Sequence, residues 1–143
     1  MGVREFLLAP SLNAIIGQRL VRRLCPSCKK EATLDTATHD RIVKELFTIS
    51  PKSGAKVDTE HLIFYESVGC EECHGLGYKG RIGIYEIMIM SPDIEQLILA
   101  KSSSEYQIQE IAVKNGMLTM LQDGLLRALE GVTSLEEVFS VAE

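Results

Sequence analysis

The sequence predicts an α+β fold that is mostly helical, with a cysteine-bearing β segment followed by a small C-terminal helical bundle. Two Cys-x-x-Cys pairs flank the middle of the chain, and the apolar run over residues 81–90 is typical of a strand. After Met90 the apolar residues recur every three or four positions, which is the period of an amphipathic helix. We therefore divide the chain into an N-terminal helix (residues 1–24), the cysteine-bearing segment (25–90) and the helical part (91–143).

The first element is predicted to be a helix that Ser11 caps and that ends at Leu24. Pro26 favours this end, because the residue before a proline is pushed out of the helical region. A second short helix is predicted over residues 38–47, and residues 50–54 are typical of a loop. The apolar stripe of the first helix has helical spacing and consists of Leu12, Ile15, Ile16, Leu20 and Leu24.

The middle of the chain has β character. Residues 62–65 are β-prone, and residues 81–90 have apolar side chains at both alternating positions, as in a strand covered on two sides. Glu86 lies in this second run, where an ionisable group is costly unless it is paired, so we expect an ion pair with a nearby lysine or arginine. Residues 69–80 hold four glycines and two cysteines, which predicts a tight irregular turn.

Helical signals dominate the last third of the chain. One helix is predicted to begin at Ser91-Pro92, a cap followed by a proline at the first helical position. A second helix is predicted to stop at Asn115-Gly116. A third carries leucines at three- and four-residue spacing and ends at Gly131. Thr133 or Ser134 is expected to cap a last short helix.

Composition restricts the class of protein. The chain has 143 residues, 45% of them hydrophobic and 24% charged, with a formal net charge of −5, and this is ordinary for a soluble globular domain. No apolar run approaches the roughly 20 residues that cross a bilayer. Binding of nucleic acid is not expected either, because such proteins usually carry a basic surface.

The four cysteines predict a metal site. Cys25, Cys28, Cys70 and Cys73 form two pairs with 41 residues between them. Two-residue spacing lets a tight turn aim both sulfurs at one point, and two such turns complete the tetrahedral thiolate shell of a structural Zn²⁺ ion. Iron fits the same four ligands and stays open. Disulfides suit a secreted chain and a redox pair suits a βαβ pattern, and neither context is evident here.

The chain lacks the sequence motifs of an independent enzyme. It contains no GxxxxGK[ST] phosphate loop, no GxGxxG, no GxSxG and no HExxH motif. His39, His61 and His74 are scattered, and a closed four-thiolate zinc site has no open position for water. We expect no catalytic residue in this chain.

Several segments, in order, resemble the hexameric secretion ATPases that power type II secretion and type IV pilus assembly. The resemblance implies a C-terminal region of such an ATPase, in which a tetracysteine zinc subdomain precedes a helical subdomain and residues 1–24 continue from the ATPase core. The segments that carry it are residues 6–12, QRLVRRLCP (18–26), GCEEC (69–73), GYKGRIGIYE (77–86), NGM (115–117), DGL (123–125) and EGVTSLEEV (130–138).

The resemblance also implies the setting in which the chain works. ATP and Mg²⁺ would bind only in the core of the parent protein, which would form a homohexamer in the cytoplasm, peripheral to the inner membrane, on a membrane platform protein. The chain itself would have a structural and interaction role, with no membrane span and no nucleic acid partner. The alternative is a free-standing zinc-ribbon adaptor that binds protein or nucleic acid.

Three arginines are candidates for a contact surface. Arg19, Arg22 and Arg23 lie three and four residues apart, so a helix would place them on one side. Like charges at this spacing repel each other and favour an external partner. We expect either a solvated face with acidic neighbours or contact with the ATPase core or an adjacent subunit.

Overall fold

A computed structural model describes residues 7, 9–59, 61–100 and 104–142. Within these ranges the strands are β1 (Ala14–Leu24), β2 (Lys30–Glu31), β3 (Tyr65–Glu66) and β4 (Tyr78–Ile89). The helices are α1 (Thr36–Phe47), α2 (Pro92–Leu99), α3 (Glu105–Lys114), α4 (Met120–Leu129) and α5 (Leu135–Ala142), with short 3₁₀ turns at Ala9–Ser11, Pro51–Ser53 and Glu71–Cys73. The α+β prediction is confirmed. None of the helices in the described ranges has the length and apolar character needed to cross a membrane.

The predicted N-terminal helix is wrong over residues 14–24, which form β1. This strand pairs antiparallel with β4 in a long ribbon, in which Ile16 lies opposite Ile87 and Val21 opposite Ile82. Neighbouring side chains differ sharply in exposure where the ribbon is covered: Leu20 is 56% exposed and Val21 is 1% exposed. The 3₁₀ turn at Ala9–Ser11 precedes the strand, and residues 1–6 and 8 of the predicted helix lie outside the described residues.

The strand predicted over residues 81–90 exists, but the described residues cover only one of its faces. Ile84 is fully buried against the helices, whereas Ile89, on the opposite face, is 70% exposed. A two-stranded ribbon has one layer of helices packed on it here, so the second set of apolar residues stays at the surface. The β-prone residues 62–65 contribute only Tyr65 to a strand, in the small β2–β3 pair.

Each predicted helix after Met90 is confirmed, and so are the predicted cap at Ser91 and the predicted stop at Asn115-Gly116. The Ser91 hydroxyl accepts the N–H of Ile94 with Pro92 following it, and α3 ends at Asn115 before Gly116, which has φ 111°. Capping boxes at Ser104 and Thr119 begin α3 and α4. These ends were predictable because caps are local. At the last helix the Ser134 hydroxyl accepts the N–H of Glu137, which settles the choice between Thr133 and Ser134.

Two apolar cores hold the helices together. In the larger one, Ile42 and Leu46 of α1 pack with Leu125 of α4 and Val138 of α5, so the predicted helix over residues 38–47 is confirmed and is buried against the C-terminal helices. The smaller core joins α2 to α3 around Ile94 and Ala112. The division of the chain at residues 24 and 90 stays a prediction.

Candidate metal centre

The first cysteine pair lies directly after β1. Cys25 is fully buried, and its carbonyl accepts the N–H groups of Cys28 at 3.3 Å and Lys29 at 3.1 Å, which closes a tight turn. Pro26 cannot continue a strand ladder, since it has no N–H to donate. The turn therefore begins where β1 ends and points both sulfurs the same way.

The second pair lies on the 3₁₀ turn just before β4. The carbonyl of Cys70 accepts the N–H of Gly75 at 2.9 Å, and that of Cys73 accepts the N–H of Leu76 at 3.0 Å. The chain reverses through His74 and Gly75, which both have positive φ, 53° and 78°. A left-handed conformation is ordinary for glycine and uncommon for histidine. His74 thus serves the turn and stands outside the sulfur cluster.

Pairing of β1 with β4 brings the two turns together. Leu24 lies opposite Tyr78, and the N–H of Cys25 donates to the carbonyl of Gly77 at 2.9 Å, so the ladder continues into the cysteines. The 41 residues between the pairs form α1 and the β2–β3 pair on the way. Convergence of the two pairs, which the sequence spacing left open, follows from this register.

The four sulfurs form a cluster with the dimensions of a thiolate metal site. All lie within 4.8 Å of one another, and the cysteines are free thiols. The sulfur separations are 3.8 Å for Cys25–Cys70 and Cys28–Cys73 and 3.7 Å for Cys70–Cys73. A tetrahedron with Zn–S bonds of about 2.3 Å has edges of about 3.8 Å. Three of the separations therefore match the edges of such a tetrahedron, and the cluster has the size of a four-thiolate metal site.

Backbone N–H groups distinguish the sulfurs electrostatically. Burial acts to raise the pKa of Cys73, but N–H donors from Cys70 at 3.2 Å and Gly77 at 3.1 Å outweigh it and lower the pKa to about 6. At Cys28 burial dominates over the single donor, Gly69 at 3.3 Å, and raises the pKa to about 11. Such N–H groups stabilise thiolates, so Cys73 is a stronger acid than Cys28 before any metal binds.

Of the basic residues near the cysteines, two make defined contacts. Lys29 donates to the carbonyl of Gly131 at 2.7 Å and lies over the Tyr65 ring at 4.6 Å, so it joins the first turn to the end of α4. Lys30 pairs with Glu66 at 2.9 Å across the β2–β3 pair. Lys79 and Arg81 are exposed and form no ion pair with the described part of the chain.

The three predicted interface arginines do not share one side, because their segment is a strand. Arg22 is engaged internally, with the carboxylate of Glu137 2.6 Å from its Nη2 atom and the Tyr78 ring 4.1 Å from its Cζ atom. Arg19 and Arg23 are exposed, with no ion-pair partner among the described residues. Sequence reasoning missed Glu137 because its partner is 115 residues away.

Glu86 does not have the lysine or arginine partner expected from the sequence within the described ranges. Its carboxylate accepts the N–H of Met120 at 3.1 Å, at the first residue of α4. A carboxylate there also interacts favourably with the helix dipole. The carboxylate of Asp123 in turn accepts the N–H of Tyr85 at 2.9 Å, so α4 and β4 are joined by two reciprocal contacts.

Comparison with known proteins agrees with this arrangement. Residues 1–140 match the family described as "Type II/IV secretion system protein". Among curated relatives, "Type IV pilus assembly ATPase PilB" of Pseudomonas aeruginosa is 41% identical over 145 residues, which cover 100% of this chain and 23% of that protein. The protein of the same description from Thermus thermophilus is 40% identical over 140 residues, 98% of this chain and 14% of that protein.

A relative named for type II secretion matches over a similar length. "Type II secretion system ATPase E" of Vibrio cholerae is 34% identical over 143 residues, which cover 100% of this chain and 26% of that protein. The chain thus spans about a quarter or less of the length of these relatives. The match to the family extends over nearly all of the 143 residues, and this confirms the resemblance that the sequence motifs indicate. The chain belongs to the type II/IV secretion system protein family.

Proposed function

We propose that this chain is the zinc-binding part of a motor ATPase that drives type IV pilus assembly or type II protein secretion. Its proposed role is to stabilise the structure of the ATPase and to contact other parts of the pilus or secretion assembly. The names of its relatives support the parent activity, and the lack of a phosphate-loop motif in the 143 residues agrees with nucleotide hydrolysis elsewhere in the parent.

The observation that carries the proposal is the clustering of the four sulfurs at the end of the ribbon, with three of their separations at 3.7–3.8 Å. Cys25, Cys28, Cys70 and Cys73 are the proposed Zn²⁺ ligands, and a closed site of this kind contributes folding energy rather than chemistry. Next to it, the N–H of Leu24 donates to the carbonyl of Val132 at 2.9 Å. Bound zinc would therefore fasten both strands together at one end of the ribbon, beside the turn that leads into α5.

The proposed partners are the ATPase core, neighbouring subunits of a homohexamer and an inner-membrane platform protein, in the cytoplasm at the inner membrane. Arg19 and Arg23 are the proposed contact residues, because both are exposed cations that lack an internal ion pair in the described ranges. Arg22, in contrast, is bound to Glu137. Reversal of charge at Arg19 in the parent protein should lower hexamer formation or ATPase rate and leave the stability of this chain nearly unchanged.

Metal analysis of the purified chain tests the zinc proposal directly. We expect about one zinc ion per chain, and thiols that react with a disulfide reagent only after a chelator is added. Cys70→Ser should abolish stoichiometric zinc and destabilise the fold by several kcal/mol. His74→Gly is the matched control, because this residue shares the turn but is outside the sulfur cluster, and it should retain zinc. A wild-type chain that is fully folded without metal would contradict the proposal.

A further inference from the structure

The end of the ribbon nearest the first cysteine turn carries a concentration of positive charge on a chain whose net charge is −5. Arg23, Lys79 and Arg81 are exposed there, and Arg22 lies directly opposite Arg81 in the ladder. Like charges directly opposite each other destabilise a strand pair. Only Arg22 in this group has a carboxylate partner in the described part of the chain.

Arg23 and Lys79 line a concave site together with a third cation, Lys29. The site has a volume of about 360 Å³ and lies between the ribbon, the first cysteine turn and the turn after α4. Leu24, Pro26 and Val132 form its apolar walls. The site thus combines cations with an apolar surface, unlike a flat solvated face of lysines.

The charged side chains that line this site give it a net positive charge. The ladder shifts register between Arg22 and Leu24, so Arg23 on β1 lies opposite two residues of β4, Lys79 and Gly80, and is close to Lys79. Lys29 is held at the carbonyl of Gly131. Glu130 is the carboxylate that lines the site, and Arg127 already pairs with it at 3.2 Å. The lining therefore has three cations and one carboxylate, which is already paired with Arg127.

We propose that this site binds a carboxylate side chain from an acidic, partly apolar segment of a protein partner. The apolar walls fit the neighbouring aliphatic side chains of such a segment, and the cations neutralise its charge. Nucleic acid fits less well, because the nearest rings, Tyr65 and Tyr78, are already covered by Lys29 and Arg22 and are not free to stack on bases. The inference rests on the proposed contact role of this module and adds the chemistry of the partner.

Binding of defined probes to the zinc-loaded chain tests the inference. A short fluorescein-labelled peptide in which glutamate alternates with leucine should bind saturably, and raising the salt concentration should weaken it. The same peptide with glutamine in place of glutamate should bind at least about tenfold more weakly, and so should an oligothymidylate. Inorganic phosphate should displace the glutamate peptide only at concentrations far above those of the peptide.

Charge reversal locates the binding site. Lys79→Glu and Arg23→Glu should each weaken binding of the glutamate peptide about tenfold, since an attraction becomes a repulsion. Lys44→Glu is the matched control, because it makes the same change of net charge on α1, away from the site, and it should leave affinity within about twofold. Equal effects at Lys44 and Lys79, or tighter binding of the oligothymidylate, would overturn the inference.

Zinc content, measured on the same samples, separates the two proposals. A chain that holds zinc but does not bind the glutamate peptide contradicts only the acidic-partner inference. A folded chain without zinc contradicts the proposed function, whatever the peptide does. Retention of zinc by the Lys79 and Arg23 variants shows that lost binding does not come from an unfolded metal site.

Discussion

The carboxylate of Glu137 in α5 binds both the side chain and the backbone of Arg22 in β1. One carboxylate oxygen accepts hydrogen bonds from Nε of Arg22 at 2.9 Å and from Nη2 at 2.6 Å. The other oxygen accepts a hydrogen bond from the backbone N–H of the same residue at 2.8 Å. The side chain of Glu137 is 12% exposed and that of Arg22 is 51% exposed, so the carboxylate is largely shielded from water and the guanidinium is not. The contact joins the last helix to the ribbon close to the cysteine cluster.

Removal of the Glu137 charge should measurably destabilise the fold. Glu137→Gln keeps the shape of the side chain but removes the anion that pairs with the half-exposed guanidinium of Arg22. Because water screens the guanidinium side of the pair, we expect a loss of about 1–2 kcal/mol in the free energy of unfolding. Urea denaturation of the zinc-loaded chain at pH 7 measures it. Glu136→Gln, an exposed neighbour on the same helix, should change stability by less than about 0.5 kcal/mol. Equal losses for the two variants would show that the contact contributes little.

The same contact predicts a dependence of stability on pH. Hydrogen bonding to Arg22 lowers the pKa of Glu137 below its usual value of 4.5, in spite of burial, which acts to raise it. A carboxylate with a depressed pKa contributes stability above its unfolded pKa, and this contribution is lost as the pH falls through the folded pKa. The stability difference between wild type and Glu137→Gln should thus be largest above about pH 5 and shrink below about pH 4.5.

Acid should also release any bound zinc, because its ligands must be deprotonated, so the pH experiment needs a metal control. Bound zinc is measured in each sample, and the two proteins are compared only where their zinc contents agree. A difference that stays constant from pH 7 to pH 4 would mean that protonation of Glu137 does not control this part of the stability.

Local signals predicted the helical part of the chain and the metal ligands. The predicted cap at Ser91 and the predicted stop at Gly116 depend on residues within one turn. The cysteine pairs depend on two-residue spacing, and the structure brings all four sulfurs together. Such features are visible in sequence because the interacting groups are neighbours along the chain.

The ribbon could not be predicted in the same way. Residues 14–24 satisfy helical spacing through Ile16 and Leu20, and pairing with β4 nevertheless makes them a strand. The partner strand begins more than 50 residues later in the chain. The β-branched pair Ile15-Ile16 followed by Gly17 disfavours a helix and was the available signal. The Arg22–Glu137 contact was hidden for the same reason of distance along the chain.

The isolated chain should neither bind nor hydrolyse ATP. The 143 residues contain no phosphate loop to surround the phosphates, and the proposed zinc site is closed to substrate. Calorimetric titration with Mg²⁺-ATP should give no saturable heat at micromolar concentration, and phosphate release should match a buffer blank. The zinc-free Cys70→Ser variant is the control for metal-dependent effects. Saturable binding by the wild-type chain would contradict this assignment of roles.

Two glycines of the second cysteine turn should respond very differently to alanine. Gly69 and Gly75 both have positive φ, 103° and 78°, so each substitution carries the backbone strain of an L-residue in that region, about 1 kcal/mol. A Cβ atom at Gly75 would meet open space. At Gly69 it would lie 2.6 Å from the carbonyl oxygen of Gly75, a backbone atom that cannot move aside alone.

Gly75→Ala should therefore lower the free energy of unfolding by about 1 kcal/mol and leave zinc affinity nearly unchanged. Gly69→Ala should lower it by more than about 2 kcal/mol, because relief of the clash has to shift the turn that carries Cys70. It should also weaken zinc binding, since the N–H of Gly69 donates to the sulfur of Cys28. Urea unfolding and competition with a chromophoric zinc chelator measure the two effects. Similar results for both variants would mean that the turn relaxes freely, and the close packing of Gly69 on Gly75 would then have no part in forming the site.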